Sequence, residues 1–369
     1  MRLPSIVALS IVVALALGLE TIVSRAAGCD PVGRIQFVCG QAGPEDLVAV
    51  PGTAWLIASA YGAEGGVNLI DTKAGSSTRL FPSASAKERL DAKTYDSCPG
   101  PLMGTDKTQF RTHGLYLKAG RNGVHTLYAV HHGLRESVEV FDVEVRPKEP
   151  GITWVGCAVA PDPIGLNAVV ALPDGGFAAT NFDPRRPAGT PGFSPELLDG
   201  KNNGEVWEWR TGAGWKKVPG SEAAGANGLE ISKDGKWYYL AEWGNRSFMR
   251  LSRGQTPVKR DEISLGFRVD NVRWAPDGQL WVAGQGGADA GRGQVPGRAG
   301  APPPAAPTSV IGKVNPKTMK YQEIINNPSS NEVPFATVAV QVGNELWVGS
   351  ARGDRISRYP ADGKLTVGK

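Results

Sequence analysis

Six short apolar runs in this chain each open on a residue that offers oxygen or imidazole: Glu45, His113, Asn167, Asn227, the pair Asp270–Asn271, and Thr337. Carboxylates and carboxamides are hard oxygen ligands, a set that suits Ca2+ rather than zinc. Asn and Asp also start strands because they favour turns, and any one position taken alone reads that way. The set reads differently if the six runs converge, because polar side chains gathered on one axis are costly to bury unless something satisfies them. All four histidines (His113, His125, His131, His132) fall between positions 113 and 132. A histidine pair beside a metal is suited to moving a proton near neutral pH. His131 and His132 are adjacent, so on a strand only one of them points inward. His125 belongs with a hairpin turn at the opposite face and is expected to be structural. No serine nucleophile competes, since GxSxG is absent and no Ser stands beside a histidine.

The elements that must carry these residues repeat along the chain. Segments 227–241 (NGLEISKDGKWYYLA) and 271–283 (NVRWAPDGQLWVA) read as strand, Gly/Asp turn, strand. Segments 45–58, 113–130, 167–180 and 337–349 have the same shape. Gly in the KDG, PDG and GN turns supplies the positive φ that a hairpin needs. Each hairpin is followed by a further strand-like run: GVNLIDT, ESVEVFDVEV, GEVWEWR, SFMRLSR, SVIGKVN and RISRYPA. Four short strands repeated six times predict an all-β fold, a six-bladed β-propeller with four-stranded blades starting near 45, 113, 167, 227, 271 and 337.

In such a propeller the first strand of each blade lines the central channel, and its first residue sits at the channel mouth. The loop between second and third strands opens on that same face. Two of these loops are long, 182–204 in blade three and 285–308 in blade five, and long loops at a mouth act as lids or specificity walls. The second is rich in Gly, Pro and Ala, the composition of a flexible linker.

Composition narrows the class. At 41% hydrophobic and 21% charged the chain is globular with a real core, and its 48 Gly and 28 Pro fit many tight turns. A net charge of +4, with Lys and Arg scattered among acids, leaves no footprint for nucleic acid. Arg2 followed by an apolar run over 6–19 and Ser24-Arg25-Ala26 reads as a signal peptide over residues 1–27, with the propeller over 28–369. Two alternatives keep the chain peripherally on a membrane: an uncleaved leader, or a lipid on Cys29. Four cysteines (Cys29, Cys39, Cys98, Cys157) in an exported chain imply disulfides, in any of three pairings. The expected product is an exported monomer, periplasmic or secreted.

The pieces THGLYL, LYAVHHGLRESVEVFDVEV, ANGLEISKDGKWYYLAE and VDNVRWAPDGQLWVAG resemble their counterparts in the paraoxonase/arylesterase family. Gluconolactonases of the senescence-marker type and strictosidine-synthase-like propellers are the wider relatives. The resemblance spans about 44–359. It implies a catalytic Ca2+ held by Glu45, Asn167, Asn227, Asp270 and Asn271, a dyad of His113 and His132, and Thr337 in the substrate pocket. It also implies a second, structural calcium, held partly by Asp46 and partly by an acid where this chain has Ala168, which cannot ligate. The implied chemistry is metal-polarised attack of water on a lactone or aryl ester, with His113 as base assisted by His132. The competing readings are a non-catalytic propeller that binds a ligand or protein, and a strictosidine-synthase-like enzyme, for which a full calcium cage is not expected.

Overall fold

The computed structural model describes residues 28–146, 148–187, 190, 192–287 and 307–365. The leader at 1–27, and with it the retained-anchor alternative, lies outside these residues. So does most of the 285–308 loop.

The hairpins and third strands read from the sequence form six antiparallel sheets of a six-bladed propeller. Blade one runs Leu47–Ala49, Trp55–Ala60, Gly66–Asp71 and Ser76–Phe81, from the channel outward. Blade two runs Arg111–Lys118, Val124–His132, Ser137–Glu144 and Gly151–Val159. A two-residue strand, Lys87–Glu88, pairs parallel to the outer edge of blade two. The inner strands of blades three, four and five are Leu166–Ala171, Ala226–Ile231 and Arg268–Trp274. Blade six consists of Val338–Val342, Glu345–Gly349 and Arg355–Pro360, completed by the N-terminal strand Gln36–Cys39. That strand places Val38 opposite Ile356, so the start of the described chain closes the ring. The disulfide Cys29–Cys39 brackets it, and Cys98–Cys157 ties the segment before blade two to that blade's outer strand.

Apolar faces of neighbouring blades bury against each other. Val48, Ile57 and Leu69 of blade one pack on Leu115, Leu127 and Phe141 of blade two. At the closure, Val338, Trp347 and Ile356 of blade six pack with Val38 on Leu47, Leu56 and Ile70 of blade one. Burial of this kind, at roughly 25 cal/mol per Å2 of apolar surface, holds a ring with no exposed inner edge together.

Four inner strands share a local irregularity that matters for function. The register slips between Thr112 and Leu115, Leu166 and Val169, Ala226 and Leu229, and Val269 and Val272. The slipped residues are His113-Gly114, Asn167-Ala168, Asn227-Gly228 and Asp270-Asn271. A bulge re-aims a side chain that strand alternation would otherwise direct elsewhere. It also crowds neighbouring backbones. A Cβ at Gly114 would run into the carbonyl oxygen of Asn167, and one at Gly228 into that of Asp270.

Candidate active site

The bulges and the residues just before the inner strands of blades one and six bring the candidate residues to one end of the channel. Glu45 Oε1 accepts from Asn271 Nδ2 at 2.6 Å, linking positions far apart in sequence. Glu45 Oε2 lies 3.8 Å from His113 Nε2. Asn167 Nδ2 is 3.4 Å from the same ring nitrogen. Asp270 Oδ2 accepts from Gln285 Nε2 at 2.7 Å. Thr337 is buried, and its hydroxyl donates to the Glu45 carbonyl at 2.6 Å, so it fixes Glu45 across the closure of the ring.

Among the described residues, four buried oxygens of this set lack a hydrogen-bond partner: Glu45 Oε2, Asn167 Oδ1, Asn227 Oδ1 and Asn271 Oδ1. Buried polar atoms are nearly always satisfied, so four orphans among neighbouring ligand-type side chains are the pattern of a cation site. No cluster of three His, Cys, Asp or Glu among the described residues is placed to hold a metal. The set here is two carboxylates and three amides, a donor chemistry that fits a hard cation. Burial, reinforced by the charges of Asp46 and Asp270, pushes the Glu45 carboxyl well above its usual range. Burial pushes Asp270 to about 7, against hydrogen bonds from Gln285 and Asn227. A divalent cation among them would reverse that cost.

The histidines separate by strand alternation. His132 Nε2 meets His113 Nδ1 at 2.8 Å. His131 points the other way, fully buried, stacked on Phe110 and 3.2 Å from Asp106 Oδ1. His125 lies at the far end of the same strand, inside it rather than in the turn, and its Nδ1 accepts from Gly120 N–H at 3.2 Å. Burial, then the proximity of His132 and Arg111, holds His113 well below the usual imidazole value, so at neutral pH the ring is uncharged and one of its nitrogens keeps a lone pair.

One step deeper, Asp46 does not stand open to a second metal. Its Oδ1 accepts from Leu47 N–H at 2.8 Å and its Oδ2 from Leu115 N–H at 2.7 Å. The Arg273 guanidinium bonds the same Oδ2 and donates to the carbonyls of Leu47, Val272 and Leu115. A fixed side-chain cation therefore engages Asp46, the one carboxylate that Ala168 leaves to the second calcium site, expected to be weak or absent. The Cys29 sulfur is bonded to Cys39 in this structure.

Several residues of the site were not singled out in the sequence. Tyr61 packs on His113 with ring centroids 4.5 Å apart, and Arg111 lies over Tyr61. Phe182 and Phe193, from the long blade-three loop, meet Trp243 edge-on at 5.8 and 5.1 Å. Trp243 Nε1 donates to Gln285 Oε1, which joins this aromatic wall to Asp270. Glu136, just before the third strand of blade two, lies 3.0 Å from His132 Nδ1. For it and Gln285 the signal was a polar residue at the mouth end of a second or third strand, a position as telling as the start of an inner one.

No family model matches the chain, and no curated protein matches it. Solved structures do. A luciferin-regenerating enzyme superposes with a TM-score of 0.52 at 14% identity, over 91% of this chain and 100% of that one. A calcium-binding protein, regucalcin, from Agrobacterium tumefaciens gives 0.52 at 11% identity, over 89% of this chain and 93% of that one. A PQQ-bound aldose sugar dehydrogenase from Streptomyces coelicolor gives 0.50 at 14% identity, over 89% and 98%. The likeness is one of fold. It shows a shared propeller fold and does not single out the paraoxonases.

Proposed function

We propose that the chain is a calcium-dependent hydrolase of lactones or aryl esters, akin to the paraoxonases. The observation that carries this reading is the set of four unpartnered buried oxygens beside the His113–His132 pair. Glu45, Asn167, Asn227, Asp270 and Asn271 would hold Ca2+. When bound, the ion supplies positive charge to the substrate carbonyl oxygen as it becomes an oxyanion. The neutral His113 takes a proton from the attacking water at Nε2, the nitrogen that faces Glu45 and Asn167. His132 receives the proton displaced from His113 Nδ1. Tyr61 limits where the His113 ring can turn. Phe182, Phe193 and Trp243 offer an apolar, aromatic wall suited to an aryl or alkyl group on the substrate.

Two disulfides fit an oxidising compartment, and no helix among the described residues is long and apolar enough to cross a membrane. Export of a monomer after loss of the leader completes the proposal. The test is a panel of lactones and aryl esters assayed with and without chelator. Turnover that disappears on chelation and returns with calcium supports the reading. Turnover indifferent to chelation sinks it, and calcium binding without turnover on any substrate favours a ligand-binding propeller.

A further inference from the structure

We infer that Glu136 is a positioning residue that sets the tautomers of both His132 and His113, and through them turns the Asn167 carbonyl oxygen toward the candidate metal site. The inference rests on the proposed function only for its catalytic meaning; the hydrogen-bond chain itself is a property of the fold.

Glu136 directly precedes the third strand of blade two, Ser137–Glu144, and is buried. Its Oε1 accepts from Leu166 N–H, at the start of blade three, at 2.7 Å. Its Oε2 lies 3.0 Å from His132 Nδ1. An ionised carboxylate only accepts, so the proton on this contact belongs to His132 Nδ1. His132 Nε2 then carries a lone pair, and the 2.8 Å contact obliges His113 Nδ1 to be the donor. That leaves the lone pair of His113 on Nε2, facing Asn167 Nδ2 at 3.4 Å. The Asn167 amide donates to that lone pair, and its Oδ1 is left as one of the four unpartnered oxygens. Each link removes one choice from the next. A carboxylate behind an imidazole fixes tautomer and ring orientation in the same way at other hydrolytic and metal sites.

Glutamine at this position would break the order. Its one carbonyl oxygen can keep Leu166 N–H, which turns the amide N–H2 toward His132 Nδ1. His132 must then hold its proton on Nε2 and donate to His113 Nδ1. His113 moves its own proton to Nε2 and presents a donor where a base is required.

The test is long-range proton–nitrogen correlation NMR on protein carrying nitrogen-15 histidine, with chelator present and at a pH where the rings are neutral. Four histidines make assignment by single His→Gln variants tractable. In the unmodified chain both His113 and His132 are expected as Nδ1–H tautomers. An Nε2–H tautomer at either residue overturns the inference without any variant at Glu136. In Glu136→Gln both are expected to switch to Nε2–H, and no change at either also overturns it. Where a lactone or ester is turned over, Glu136→Gln lowers kcat roughly 10²-fold or more, the scale of lost general-base catalysis. If no substrate is ever turned over, the proposed function fails while the tautomer result still stands or falls by itself.

Discussion

Arg273 and Asp46 form a buried ion pair, Asp46 one residue after Glu45 and Arg273 two residues after Asn271. Three backbone carbonyls complete the coordination of the guanidinium. Removing one partner of such a pair strands the other charge in low dielectric, at a cost of about 3–5 kcal/mol. Arg273→Met is therefore expected to lower stability by about that amount in urea unfolding, and Asp46→Asn in the same background to recover part of it. Single variants that lose no stability would show that the pair contributes nothing.

The same pair fixes the metal count. With Asp46 engaged by Arg273 and two backbone N–H groups, one calcium per chain is expected. Elemental analysis of dialysed protein returning two, or stoichiometric zinc, would contradict the site as built. Asp270→Ala should lose both the ion and hydrolysis, because it removes a ligand and a charge that offsets Ca2+. His125→Ala, altered at the far end of the blade-two strand, should keep both.

Acid and base should act on the calcium-free protein in the direction opposite to the usual carboxylate. Burial pushes Asp270 from 3.8 to about 7, and Glu230 from 4.5 to about 7. A group whose folded value is raised binds more protons folded than unfolded across that window, so stability falls as pH climbs through about 7. Chelated protein is thus expected to melt lower at pH 8 than at pH 5.5. The rise in Tm on adding calcium should be larger at pH 8, where the ligands are already deprotonated. A chelated protein that is more stable at pH 8 would contradict the burial argument. Glu230→Gln separates its share from that of Asp270.

Much of this architecture was legible because hairpin turns and apolar runs repeat with a physical period. The six third-strand runs, from GVNLIDT to RISRYPA, each contain or overlap the third strand of a blade. The polar openings at His113, Asn167, Asn227 and Asp270 were also visible. That they sit on bulges was not, because a bulge depends on pairing with a partner strand rather than on local residue choice. Arg273 was hidden for a related reason. It lies in the alternating run NVRW, where a polar residue reads as solvent-facing, and only ring closure turns that face into the channel. The cysteine pairings needed three-dimensional proximity as well: Cys29 finds Cys39 because the N-terminal strand completes blade six.

With all four cysteines paired, titration under denaturing, non-reducing conditions should find close to no free thiol. Reduction should destabilise the chain by about 2–4 kcal/mol per bridge, the range for constraining an unfolded chain. Four free thiols in protein from its native compartment would indicate a reducing location and remove the argument for export.

Adjacent histidines offer the sharpest test of which face is active. His132 points toward His113 and Glu136, whereas His131 is buried against Phe110 and Asp106, with its ionisation held down to about 4 by burial. His132→Ala removes the acceptor for the His113 Nδ1 proton. It should lower kcat of the folded fraction roughly 10²–10⁴-fold while calcium stays bound, with some loss of Tm because Glu136 Oε2 loses its imidazole donor. His131→Ala leaves Asp106 without its imidazole partner and opens space beside Phe110. Asp106 Oδ1 keeps the Leu134 N–H, so the stability cost, about 2–5 kcal/mol, comes from the cavity left beside Phe110, with kcat of the folded fraction close to the parent. The two effects come from neighbouring residues of one type on one strand, so composition and depth in the sequence cannot explain a difference between them. A reversed pattern, with turnover of the folded fraction lost in His131→Ala and kept in His132→Ala, would place the chemistry on the opposite face of the blade.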